Sequence, residues 1–270
     1  MKIGRYSGMN LSRELFRAFG ESGIEMMEIS IGTKRQSHLE LQLRELKAWG
    51  DEFGVELWSY HMPGAGSSLV DPNKEARLQL IELHRNIMGR AREVGIRHFV
   101  VHPSGEPIPS EHRAEMIDRC KESLMQLAEI ARKEDTVIAV ENLPRTCLGN
   151  SSAEMLELLS VDKDLRVCFD TNHLLGEDNM RLLDAVGDKI VTIHVSDYDF
   201  IDEKHWLPGE GKNDWQRIYK KLSAVGYKGP WLYEVDFSAP TITRHRDLVC
   251  ADYVRNAREI FEGRPLTVIE

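Results

Sequence analysis

The stretches "ESGIEMMEI", "EFGVELWSY", "EVGIRHFVV" and "AVGYKGPWLY" are four copies of one event, in which a helix-forming run stops at a glycine and an apolar, β-rich run follows. A glycine just past a helix supplies the left-handed residue on which helices close, so Gly23, Gly54, Gly95 and Gly226 mark the junctions. A junction repeated in this form means that helix and strand alternate, which is the pattern of parallel βα units and not of hairpins. Further β-rich runs keep the rhythm, giving predicted strands at 2–6, 26–31, 55–60, 98–101, 137–140, 166–169, 190–195 and 231–234. Between them the spacing predicts amphipathic helices, for example over 39–53, 74–94 and 112–132. No linker or low-complexity tract divides the 270 residues. Eight strands, each followed by a helix, in a chain near the ~250 residues usual for the fold, read as an α/β protein with one domain, a (β/α)8 barrel over residues 1–270. The competing doubly wound open sheet wants a Gly-rich phosphate turn after an early strand, and "RYSGMN" is not that turn.

A barrel aims the C-terminal ends of its strands into one shared mouth. Reading only those positions gives a consistent chemistry. The third strand ends in "SYHMPG" (His61) and the fourth in "FVVHPSG" (His102). The fifth ends in "IAVENLPR" (Glu141, Asn142) and the sixth in "CFDTNH" (Asp170, His173). The seventh ends in "TIHVSD" (His194, Asp197), with Glu203 and His205 in the loop beyond it, and the eighth in "WLYEVDF" (Glu234, Asp236). Taken singly, each has a plainer reading: Asp170 as a turn residue, Glu234 as an ion-pair partner, Glu203 as a solvated loop charge. Taken together they need six consecutive strands to end in polar residues of metal-ligand type by accident. Carboxylates and imidazoles crowded into one mouth repel or desolvate one another unless a cation sits among them, so a divalent metal is the economical explanation.

The series "HMP", "VVHPSG", "VENL", "FDTNH", "IHVSD", "HWLPGEGKNDW" and "YEVDF", in this order at strand ends, resembles the xylose isomerase-like barrel superfamily. That group holds sugar isomerases and epimerases, inosose dehydratases and abasic-site nucleases of the endonuclease IV type. The resemblance implies a metal at the mouth. Carried over residue by residue, its epimerase pattern makes Glu141, Asp170, His194 and Glu234 the ligands of one Mn-, Mg- or Co-type ion. It places His173 against the substrate, with His61, His102 and His205 at the same mouth. The segment from His205 to Trp215 resembles the loop that closes such sites.

An oxygen-rich set with one imidazole suits Mn or Mg better than a structural zinc, which prefers thiolates. The expected chemistry is proton transfer next to a carbonyl, with Glu141 and Glu234 as the catalytic pair on strands three apart, giving a sugar, cyclitol or keto-sugar isomerase or epimerase. A dehydratase-like lyase would draw on the same groups. The alternative is a zinc phosphodiesterase acting on abasic DNA, whose pattern adds His61, His102, His173, Glu203 and His205 as ligands; Glu203 stands where that family has Asp. "GTKRQS" offers Lys34 and Arg35 to a phosphate, but the formal charge of −9 argues against a nucleic-acid partner. A non-catalytic sugar-binding barrel would keep the mouth and lose one of the two glutamates. Trp206 is the aromatic expected to stack on a sugar, with Trp58, Met62, Trp215 and Tyr6 as further candidates. Four scattered cysteines suit a reducing cytoplasm, "MKIGRYSG" leaves no room for a signal peptide, and no apolar run approaches the ~18 residues of a membrane span. A homo-oligomer is the default assembly for such an enzyme.

Overall fold

The computed structural model describes residues 1–8, 11–32, 38–64 and 68–270. Eight strands and eight main helices alternate: β1 Ile3–Ser7, α1 Arg13–Ser22, β2 Met26–Ile29, α2 Leu39–Phe53, β3 Glu56–His61, α3 Lys74–Ala91, β4 His98–Val101 and α4 Arg113–Lys133 form the first half. The second half is β5 Val137–Glu141, α5 Ser152–Leu159, β6 Arg166–Asp170, α6 Asn179–Val186, β7 Ile190–His194, α7 Trp215–Ala224, β8 Trp231–Tyr233 and α8 Cys250–Phe261. Every paired strand runs parallel, in the order β7-β6-β5-β4-β3-β2-β1-β8. The ring closes between β7 and β8, where the Val195 amide donates to Leu232 O at 2.8 Å and the Glu234 amide to Val195 O at 3.1 Å. This is a (β/α)8 barrel.

The junction glycines do what the sequence asks of them. Gly23, Gly54, Gly95 and Gly226 all sit at positive φ, between 71 and 99°, where a Cβ would be strained. Most of the core lies between the strands and the helical ring, around Phe16, Phe19, Phe99, Leu124 and Phe169. Inside the barrel a small apolar layer of Val100, Ala139 and Cys168 fills the floor. Two bulges interrupt the register: Met27 pairs with Leu57 but Glu28 with Ser59, and Val167 pairs with Ile190 but Cys168 with Thr192. A bulge re-aims side chains, and the first of these brings Ser59 beside Glu28 inside the barrel. Above this layer the strands stop almost in unison. His61, Glu141, Asp170 and His194 are the last residues of β3, β5, β6 and β7, while His102 and Glu234 directly follow β4 and β8. All four cysteines are free thiols. No helix of the described residues is long and apolar enough to cross a membrane.

Candidate metal centre

His194 is the hub. It is fully buried, and its Nδ1 lies 3.0 Å from Glu141 Oε1, 2.9 Å from Glu234 Oε2 and 3.7 Å from Asp170 Oδ2. One donor atom from each of Glu141, Asp170, His194 and Glu234 falls within 4.8 Å of every other. Donors bound to one ion at about 2.0–2.2 Å are separated by such distances. Two buried polar atoms here, Asp170 Oδ2 and His173 Nε2, have no hydrogen-bond partner, and Glu141 Oε2 meets only the imidazole nitrogens of His61 and His102. An unsatisfied buried acceptor costs about 1–3 kcal/mol, so two of them in one spot fit a cation better than a closed hydrogen-bond network. The other oxygen of Asp170 is occupied, accepting from the Asn172 amide at 2.6 Å. Asn142 fixes the neighbouring backbone: its side chain accepts from the Asp170 amide at 2.8 Å and donates to Asp170 O at 2.9 Å. Burial disfavours the charged forms, but the cluster overrides it at most positions. It raises His194 well above the usual imidazole range, through Cys168, Glu234, Glu28 and Glu141, and holds Glu141 well below the carboxylate range through His194 and His102. Asp170 goes the other way: burial and the charges of Glu141 and Glu234 raise it.

Two further triplets flank this quartet. On one side His61 Nε2 and His102 Nε2 lie 3.2 Å apart and 3.4 and 3.1 Å from Glu141 Oε2. On the other, Glu203 Oε1 lies 2.8 Å from His205 Nε2 and 3.6 Å from His173 Nε2. In each triplet, as in the quartet, the donor atoms lie within 4.8 Å of one another. The second ring nitrogens of His173 and His205 face backbone carbonyls, Asn142 O and Glu234 O, both at 2.9 Å. That fixes Nε2 as the atom offered to the mouth. His173 and His205 are raised to about 9 and about 10, their carboxylate neighbours outweighing burial, and Glu203 is held far below its ordinary value by the two imidazoles. Arg145, quoted in "VENLPR" but given no role by sequence reasoning, grips Glu203 Oε2 at 2.9 Å and Asp202 at 2.8 Å.

Residues 16–248 match the family described as the xylose isomerase-like TIM barrel. The chain belongs to that family. An uncharacterized protein of Methanocaldococcus jannaschii is 29% identical over 188 residues, which are 66% of this chain and 64% of that protein. An L-ribulose-5-phosphate 3-epimerase of Shigella flexneri is 28% identical over 172 residues, 62% of this chain and 60% of that enzyme. The alignments thus span less than two thirds of these relatives' own length. A solved D-tagatose 3-epimerase-like protein superposes with a TM-score of 0.82 at 24% identity, covering 97% of each chain.

In this xylose isomerase-like barrel, the ligand-type residues read from the strand ends lie close together at the mouth, and several of their neighbours do not join them. Asp197 is no ligand: its buried carboxylate accepts from the amides of Tyr198, Gly209, Gly211 and Asn213 and from Trp215 Nε1, and so folds the loop between β7 and α7. Asp236 caps a local turn by accepting from the Ser238 amide. Trp58 stacks on His98 at the start of β4 and donates from Nε1 to Thr192 Oγ1 at 3.3 Å. Trp215 packs edge-on against Trp231 in the helical shell, and Met62 is core. Trp206 pairs through its backbone with Asp197 and is half-buried next to His205. Tyr6 does face the mouth, its ring 5.8 Å from that of His61. Lys34 and Arg35 lie outside the described residues. Sequence reasoning missed Glu28, a buried carboxylate bonded to His194, and Ser59 beside it; the only signal was one acid inside the apolar run "MMEI".

Proposed function

We propose that this chain is a divalent-metal-dependent sugar epimerase or isomerase that moves a proton next to a substrate carbonyl. The observation that carries the reading is the convergence of Glu141, Asp170, His194 and Glu234 around an unpartnered Asp170 oxygen. The oxygen-rich donor set suits Mn, Mg or Co. A divalent ion held there would polarise a carbonyl and an adjacent hydroxyl, easing loss of the proton between them. Glu141 and Glu234 approach from strands on different sides of the barrel, and both contact His194 Nδ1. Glu234, 18% exposed, faces the opening and reaches substrate most readily. One carboxylate takes the proton and the other returns it, to the opposite face or to the next carbon. His173, which turns Nε2 to the mouth, and Trp206, the neighbour of His205, are assigned here as substrate contacts. Sugar 3-epimerases among the curated relatives support this class of chemistry.

A second reading has its own support. The triplets His61–His102–Glu141 and His173–Glu203–His205 could hold two more ions, as a zinc phosphodiesterase of the endonuclease IV type would require. Charge separates the two cases. With one divalent ion the four carboxylates Glu141, Asp170, Glu203 and Glu234 outweigh the metal charge; with three ions the metal charge outweighs theirs, which suits a phosphate diester. Metal content of the purified protein distinguishes them, one Mn-, Mg- or Co-like equivalent against two or three of zinc. For the epimerase reading, Glu141→Gln and Glu234→Gln are each expected to abolish deuterium uptake from solvent into a ketose substrate, with the circular dichroism spectrum unchanged. Exchange retained in both variants removes the pair from the mechanism.

A further inference from the structure

We infer that Glu28, on the opposite side of His194 from the quartet, is a positioning residue that fixes the ring for metal binding; this rests on the metal-centre reading above. His194 has two ring nitrogens and only one faces the candidate ligands. The other, Nε2, lies 2.8 Å from Glu28 Oε1. Glu28 is itself held from behind, its Oε2 accepting from Ser59 Oγ at 2.6 Å. All three residues are completely buried. Both ring nitrogens face carboxylates, Nε2 facing Glu28 and Nδ1 facing Glu141 and Glu234; an ion at the mouth would take the Nδ1 lone pair, and Glu28 would then hold the remaining N–H on Nε2. A histidine that binds a metal through one nitrogen and donates the other N–H to a carboxylate is more basic and less free to rotate.

A plain structural role explains the geometry less well. A buried carboxylate must be paired and hydrogen-bonded to offset its desolvation, whereas an apolar side chain would fill the barrel interior with no such demand. Its neighbours in β2, Met26, Met27 and Ile29, do fill space in that way. The bulge that sets Ser59 opposite Glu28 is a second local cost, and it is spent on the orientation of this one carboxylate.

The test uses the full chain stripped of metal by chelation, with Mn(II) as the probe and free Mn(II) followed by electron paramagnetic resonance. Glu28→Gln, which keeps the shape and loses the charge, should weaken Mn(II) binding by about 10–100-fold. The circular dichroism spectrum of its metal-free form should match that of the unaltered protein, which separates lost affinity from lost fold. Ser59→Ala frees the carboxylate without removing it and should give a smaller loss of affinity in the same direction, a second route should Glu28→Gln fold poorly. Binding by both variants within twofold of the unaltered protein overturns the inference and leaves the metal centre intact. No Mn(II) binding by the unaltered protein overturns the metal-centre reading and the inference with it.

Discussion

Asp197 gathers donors from residues 198 to 215 onto one carboxylate, so the turn that carries Glu203 and His205 is built around a single buried anion. In sequence it is indistinguishable from Asp170. Both are acids at the end of an apolar strand, and what separates them is the partner each carboxylate meets, backbone N–H groups for Asp197 and other acids and imidazoles for Asp170. A carboxylate has only acceptors to offer, whereas Asn would turn an NH₂ toward N–H groups at one of the two positions. Asp197→Asn is therefore expected to destabilise the protein by about 2–4 kcal/mol, read as a lower urea midpoint. Gly211 approaches so closely that any Cβ would collide with Asp197 and Tyr198 O, so Gly211→Ala should act in the same direction. If both variants unfold at the original midpoint, Asp197 does not hold the loop.

Among the elements, those with a local cause were readable and those set by contact across the barrel were not. Helix α2 spans the residues that its apolar spacing predicts, and the junction glycines close helices as expected. The two bulges left no trace, because they arise from pairing between strands. Glu28 was missed for a related reason: every residue of β2 is buried, so the strand has no alternation that would tell an inward acid from an outward one. Helix α3 carries a prediction of its own. His84, on its buried face, contacts Pro63 O through Nε2 at 3.0 Å, and burial depresses its pKa to about 4. Unfolded, the imidazole titrates near 6.5; folded, it refuses the proton that the unfolded chain accepts. Its contribution is complete above pH 6.5 and is lost as pH falls toward 4, by up to about 3 kcal/mol. Urea unfolding of the chelated protein should thus fall off more steeply with acid than that of His84→Gln, since the mouth residues contribute equally to both. Parallel curves would rule His84 out as the cause.

At the scale of the whole molecule, folding draws acids and imidazoles from β3 to β8 into a mouth where two buried polar atoms lack partners, which ties stability to whatever cation enters. A ligand that binds only the folded chain adds about 2.7 kcal/mol at a hundredfold excess over its Kd. For a chain of this size that is roughly a 5–10 °C rise in thermal midpoint, reversed by chelator. The shape of the rise on titration also reports how many ions take part. The quartet uses neither His61 nor His102, so with a single ion the gain saturates at one equivalent and His102→Gln binds as tightly as the unaltered protein. With an ion in each triplet as well, the gain continues to two or three equivalents and His102→Gln removes a step of it, because His102 Nε2 and His61 Nε2 share Glu141 Oε2. The epimerase reading expects the first outcome. The second would transfer the chemistry to a mouth whose positive charge exceeds that of its carboxylates, and with it the substrate from a sugar to a phosphate diester.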